Sequence, residues 1–195
     1  MVGIAGKKNL REANLKGVDL RGTNFQGADL EKANLIEADL RKANLTNANL
    51  KGADLFEANL KEANLEGAYL IWADLRWVQL EAANLEKAHL EGSKLEGANL
   101  ERADLKEANL EGANLKNANL RGTSLEGANF RGANLEGISL EGATLKAAIL
   151  EEAYSLSIEQ LSKVRTLYNA KLDEKLLISL KEKCPALFKR HNYKK

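Results

Sequence analysis

Every fifth residue from Leu10 to Leu150 is apolar and large. There are 29 such positions in unbroken phase, and only Phe25 and Phe130 among them are not Leu. With that residue as position i, position i−2 is Ala in 22 of the 29 and position i−1 is Asn or Asp in 21. Positions i+1 and i+2 are mostly Glu, Lys, Arg and Gly. Leu, Ala, Glu and Lys are good helix formers, so composition alone suggests an α-helix. Phase rejects it, because five residues at about 100° each leave successive Leu about 140° apart, winding around the helix. A straight strand fails too, since an odd step sends successive Leu to opposite faces.

The pattern works if every pentad contains a bend. Residues i−2 and i, two apart, point the same way from a short extended segment. The chain then turns through i+1 and i+2, and the next Ala-x-Leu points inward again. Asn or Asp at i−1 can hydrogen-bond nearby backbone at the corner, and Gly at i+2 tolerates unusual dihedrals. The product is a solenoid with Leu and Ala inside and charge outside.

Runs such as ANLIEADLRKANLTNANLKGADL (33–55) resemble the A(D/N)LXX motif of pentapeptide-repeat proteins, over roughly residues 9–153. The uninterrupted run is of the kind abundant in cyanobacterial members, most of them without assigned function. The resemblance implies an all-β solenoid, a right-handed quadrilateral β-helix in which four pentads form the sides of one square coil. Periodicity alone does not supply the number four, since any multiple of five satisfies it. With four, the 29 repeats make a little over seven coils, a rod roughly 35 Å long.

The phase stops after Leu150, since position 155 is Ser. Residues 154–195 read as an α-helical cap with a basic tail. Ser157 and Gln160 resemble a capping box, followed by Ile158, Leu161, Val164 and Tyr168 at helical spacing. Asp173 is a candidate second N-cap before Leu176, Leu177, Leu180 and Cys184, and Pro185 stops that helix. Two short helices there cover the apolar interior of the last coil. The lead-in, residues 1–8, is a thin cap in which Ile4 and Ala5 begin a partial coil. The expected state is therefore a monomer or an end-to-end dimer.

Composition changes this picture little but bounds the function. Aromatics are 5% of 195 residues and there is one Pro, as a narrow Leu/Ala-filled tube requires. Residues 1–150 carry 19 basic and 22 acidic residues, and the whole chain has a formal charge of +1. That balance argues against a nucleic-acid binder, which needs a basic stripe, and against an acidic mimic of duplex DNA. No apolar run is long enough for a membrane span and no signal-peptide core precedes the repeat, so a cytoplasmic protein with no membrane partner is expected.

Catalytic chemistry is not legible. His89 sits outward at i−1 and His191 in the tail, neither at metal-ligand or triad spacing, and Cys184 reads as a small core residue. Stacked carboxylates such as Glu91 and Glu111, one coil apart, repel unless Lys or Arg screens them. No enzyme, small-molecule substrate, metal or other cofactor is expected. The informative departures are Tyr69 at i−1, Ile71 at i+1, and Trp72 and Trp77 at successive i+2 positions. Both Trp residues of the chain are among them. A square coil also stacks Ile36, Phe56 and Arg76 in neighbouring rungs, with Arg76 covering Phe56. Trp, Tyr and Arg in one patch are the residue types that dominate interfaces. The expectation is a non-enzymatic scaffold binding an unidentified protein partner through this side face. The resemblance implies an alternative, a DNA-mimic regulator of DNA gyrase, which near-neutral charge and the absence of loops disfavour.

Overall fold

A computed structural model describes residues 9–190. The expectations attached to Ile4, Ala5 and His191 lie outside the described residues. Each position i−1 pairs in parallel with the residue twenty positions later: Asn49 with Tyr69, Asp54 with Asp74, Asn64 with Asn84, and so on from Asn9 to Tyr154. Twenty residues are four pentads, so the structure supplies the number that periodicity left open. The fold is a right-handed quadrilateral β-helix.

Why this sequence takes this path follows from its backbone N–H groups, each of which needs an acceptor once it lies against another coil. The N–H of position i donates to the following coil, as Leu50 does to the Tyr69 carbonyl at 2.7 Å. Position i+2 also donates forward, Gly52 to Ile71 at 2.9 Å, and position i−1 donates back, Asp54 to Ala33 at 3.0 Å. The residue at i−2 closes the corner, as Ala53 does by donating to the Leu50 carbonyl at 3.1 Å.

That leaves the N–H of i+1, which points out of the corner. All 21 Asn and Asp residues at i−1 accept from it through Oδ1, at 3.0–3.3 Å. The Asn/Asp preference is thus a requirement for a short side-chain acceptor two residues before an otherwise unserved donor. Position i+2 takes a positive φ, about +53° to +70° throughout the repeat. This is the left-handed geometry that a type II turn places at its third residue, and it explains why Gly is common there.

From Leu30 to Leu150 the inward Leu and Phe side chains are buried, together with the Ala column between them. Two polar intruders at i−2 are satisfied internally: Ser93 Oγ donates to the Leu90 carbonyl at 2.7 Å and Thr123 Oγ1 to the Leu100 carbonyl at 3.0 Å. Outside, opposite charges meet across successive coils, as in Lys61–Glu81 at 2.8 Å, Lys116–Glu136 at 2.9 Å and Arg121–Glu141 at 2.9 Å. Exposed pairs of this kind contribute little each; their effect is to leave no side of one sign.

At the C-terminus the ladder continues past an interruption. Thr144 pairs with Thr166 and Ile149 with Lys171, an offset of 22 instead of 20. The extra residues accommodate α1 (Ile158–Ser162), whose capping box forms as expected: Gln160 N–H donates to Ser157 Oγ and Ser157 N–H to Gln160 Oε1. The expected helical run through Val164 and Tyr168 does not form. α1 ends at Ser162, and the following residues rejoin the coil, with Gly142 N–H donating to Lys163 and Ala147 N–H to Tyr168.

The second helix, α2 (Glu174–Lys183), starts after Asp173 as expected. Asp173 makes no side-chain cap; its carboxylate accepts from Glu152 N–H instead. Cys184 ends α2, half-buried, and Pro185 opens a 3₁₀ turn to Phe188. Leu161, Leu167 and Leu180 join the rod's core, so the two helices close its last coil.

Leu100 is fully buried near mid-rod, and truncation leaves a cavity between rigid coils. Leu100→Ala is expected to cost about 2–5 kcal/mol. Urea denaturation checks this, and a loss below about 0.5 kcal/mol would place the side chain outside the core.

Candidate protein-interaction surface

Tyr69, Ile71, Trp72, Arg76 and Trp77 lie on one coil. Trp72 and Trp77 occupy its adjoining corners, with residues 73–75 as the side between them. Each corner is tied to the next coil through its backbone: Trp72 N–H donates to the Glu91 carbonyl and Trp77 N–H to that of Glu96, both at 3.0 Å. Their side chains remain largely in solvent, 71% and 55% exposed, with Tyr69 at 39%. Ile71, Phe56 and Ile36 are half-buried. Ile36, Phe56 and Arg76 occupy successive rungs of one stack, joined by Glu37 N–H to the Phe56 carbonyl and Glu57 N–H to that of Arg76. The Arg76 guanidinium covers the Phe56 ring at 5.4 Å, as the spacing predicts.

The two indoles share a feature of placement that reading the patch residue by residue misses. Twenty residues after each Trp stands a Gly, and a methyl group on Gly92 or Gly97 would collide with the Trp72 or Trp77 ring respectively. Each indole therefore lies on bare backbone of the next coil. Trp72 and Trp77 have φ values of +58° and +59°, a conformation costly for a bulky side chain. A Trp and a Gly twenty positions apart at i+2 is a sequence signal, but it is readable only once the coil length is known.

Tyr69 carries a stack of its own. Its ring lies parallel to the His89 imidazole, centroids 4.8 Å apart and 4° between planes, and Lys51 Nζ sits 5.4 Å from the Tyr69 centroid. Between the Trp corners, Asp74 takes two cations: Arg76 in a two-point contact at 2.8 and 2.6 Å, and Lys94 at 3.6 Å. Burial pushes the Asp74 carboxyl up, but the hydrogen bonds and charge of Arg76, with the charge of Lys94, hold it below its ordinary value. Its anion and the Arg76 cation are fixed at neutral pH.

Glu91 and Glu111, expected to need a cation between them, each have one oxygen engaged by an amide of the next coil instead. Asn109 Nδ2 donates to Glu91 Oε1 at 2.8 Å and Asn129 Nδ2 to Glu111 Oε2 at 3.2 Å. Among the described residues no group of three or more His, Cys, Asp or Glu side chains is placed to hold a metal ion, and no helix is long and apolar enough to cross a membrane.

The family model for pentapeptide repeats matches the chain eight times between residues 9 and 154, three quarters of its length. The chain is a pentapeptide-repeat protein. Among solved structures it is similar to HetL from the cyanobacterium Nostoc sp. strain PCC 7120, a pentapeptide-repeat protein involved in heterocyst differentiation regulation. That similarity is 33% identity over 86% of each chain, with a TM-score of 0.58. It also shares its fold with QnrB1, a plasmid-mediated fluoroquinolone resistance protein, at 19% identity over 93% of each chain and a TM-score of 0.68. Comparison with curated protein sequences returns no match.

Within this pentapeptide-repeat rod the corner indoles are weak struts. Trp72→Gly relieves an unfavourable φ and gives up only the buried fraction of one ring, while adding freedom to the unfolded chain. Stability in urea is expected to change by less than about 1 kcal/mol. A loss above about 2 kcal/mol would show that the indole is a structural brace.

Proposed function

We propose that this protein is a non-enzymatic repeat scaffold that holds a protein partner against the side bearing Tyr69, Ile71, Trp72, Arg76 and Trp77, with Phe56 and Ile36 in the stack beneath. One observation carries the reading. Both Trp residues stand exposed on adjoining corners of a single coil, at left-handed positions where Gly fits without strain. Large exposed aromatics flanked by a fixed Arg–Asp pair have the make-up of an interface centre. The regulatory role given for HetL is in keeping with a scaffold that works by contact.

A gyrase-directed DNA mimic finds less support. Mimicry of a phosphate ladder needs a continuous acidic side, and here basic rungs are interspersed among the acidic ones, as at Lys61–Glu81 and Arg121–Glu141.

Site-specific photo-cross-linking tests the proposal. With benzoylphenylalanine in place of Trp72, ultraviolet irradiation in lysate of the source organism is expected to give a discrete protein adduct. The same probe in place of Ala82, on the opposite corner of that coil, is expected to give none. Equal adducts from both corners, or none from position 72, would overturn the assignment of this face.

A further inference from the structure

We infer that the N-terminal end of the rod is a self-association surface, on which a second copy of this chain stacks head to head through a two-fold axis.

The two ends differ. The C-terminal end is closed, since α1 and α2 cover its last coil. At the other end the core is not sealed. Phe25 and Ala28 are buried, as are the inward Leu and Phe from Leu30 to Leu150. Leu10, Leu15 and Leu20 are only partly covered, and Val18 is 39% exposed. The open part is centred on the two sides spanning residues 13–20. In the twenty-residue register, residues 1–8 fall beneath 21–28 and not beneath these sides.

The backbone is open there too. One coil further on, Asn34 N–H donates back to the Ala13 carbonyl at 2.9 Å and Asp39 N–H to that of Val18 at 3.0 Å. The equivalent donors, the N–H groups of Asn14 and Asp19, have no acceptor among the described residues. The carbonyls of Asn14, Lys16 and Asp19 likewise have no donor among them. Partly covered Leu side chains lie beside them, so this end is a sheet edge and an apolar surface together. Such an edge is a template for another strand.

Three features select a second copy. First, the edge carries a donor and an acceptor at each i−1, a large apolar residue beside them and a bend every five residues. The first coil of another copy matches all of these, and two first coils related by a two-fold axis across the rods pair antiparallel. Second, the rim offers little to a strongly charged partner, because its cations are already neutralised. Arg11 is held by Glu31, Lys16 by Glu37 at 3.7 Å and Arg21 by Asp19 at 2.6 Å. Third, the far end is sealed, so stacking stops at two copies and gives a closed dimer, not a filament. The Trp side lies three coils away, about 15 Å along the rod, so this surface stands or falls independently of the partner reading.

Sedimentation equilibrium of the full chain tests the inference, in reductant because Cys184 is the chain's one thiol. One coil end is a small interface, so the loading concentrations bracket a micromolar dissociation constant. The mass is expected to rise with concentration from 21.4 kDa to twice that value and no further. Val18→Asp, a charge on the exposed end, is expected to weaken association at least about tenfold while keeping the wild-type circular dichroism spectrum. Trp72→Gly is expected to associate as wild type does. If Val18→Asp does not fold, Asp19→Pro and Asp19→Ala decide. Both lose the carboxylate that caps Arg21 N–H, but only Pro removes the edge N–H, so only Pro is expected to weaken the dimer. A mass fixed at 21.4 kDa, or one that climbs past two copies, would overturn the inference. So would undiminished association of Val18→Asp, equal association of the Pro and Ala variants, or loss of association in Trp72→Gly, which would move the contact to the Trp side.

Discussion

Everything in this molecule depends on the hydrogen bonds that lock each coil to the next at an offset of twenty residues. Their geometry admits one solution per pentad: a short extended segment, then a corner whose second residue has positive φ. Leu and Ala inside are the consequence of that lock, because only two inward side chains per side fit the tube. Burying four Leu gains a single coil roughly 8 kcal/mol, well short of the roughly 20–40 kcal/mol that ordering twenty residues costs. Stability therefore resides in stacking, and helices α1 and α2 serve it by covering the last exposed rung.

The same register organises the surface. Residues twenty apart become neighbours at strand spacing, so chemistry is written in vertical pairs: Lys61 with Glu81, Arg76 with Phe56, Tyr69 with His89, Trp72 with Gly92. Most pairs cancel charge or bridge amides, and such stretches are self-sufficient. The side around Trp72 and Trp77 differs. There the regular Asn/Asp acceptor is replaced at Tyr69, Gln79, His89 and Lys94, so the next corner loses its customary cap, and the aromatics stand where Gly relieves strain. The acceptor is also absent further along at Ser124, Ser139, Thr144 and Ile149, so what sets the Trp coil apart is the aromatic character of its replacements, Tyr69 and His89 stacked beside two exposed indoles.

Much of the fold was legible in the sequence because one physical period repeats without interruption. Phase excluded helix and straight strand, and Ser157 with Gln160 announced the first cap. Coil length was not legible, since any multiple of five keeps Leu inside; it came from the family resemblance and then from the ladder. Val164 and Tyr168 misled because spacings of three and four in sequence suit a helix, yet a 22-residue coil also buries Val164 and Leu167. At the candidate site, the aromatic cluster and the Arg76–Phe56 contact were readable from residue types and a twenty-residue step. The glycines beneath the indoles followed the same step but are silent as residue types.

The central claim is the twenty-residue register, and a disulfide ruler measures it directly. In a Cys184→Ser background, Asn64→Cys with Asn84→Cys places two thiols on paired positions whose native side chains are 3.1 Å apart, within reach of a disulfide bond. Mild oxidation is expected to close this pair nearly completely, as read by mobility on a non-reducing gel. Asn64→Cys with His89→Cys, twenty-five residues apart and on different sides, is expected to stay open. A bridge in the second pair, or none in the first, would contradict the register and every vertical pairing built on it.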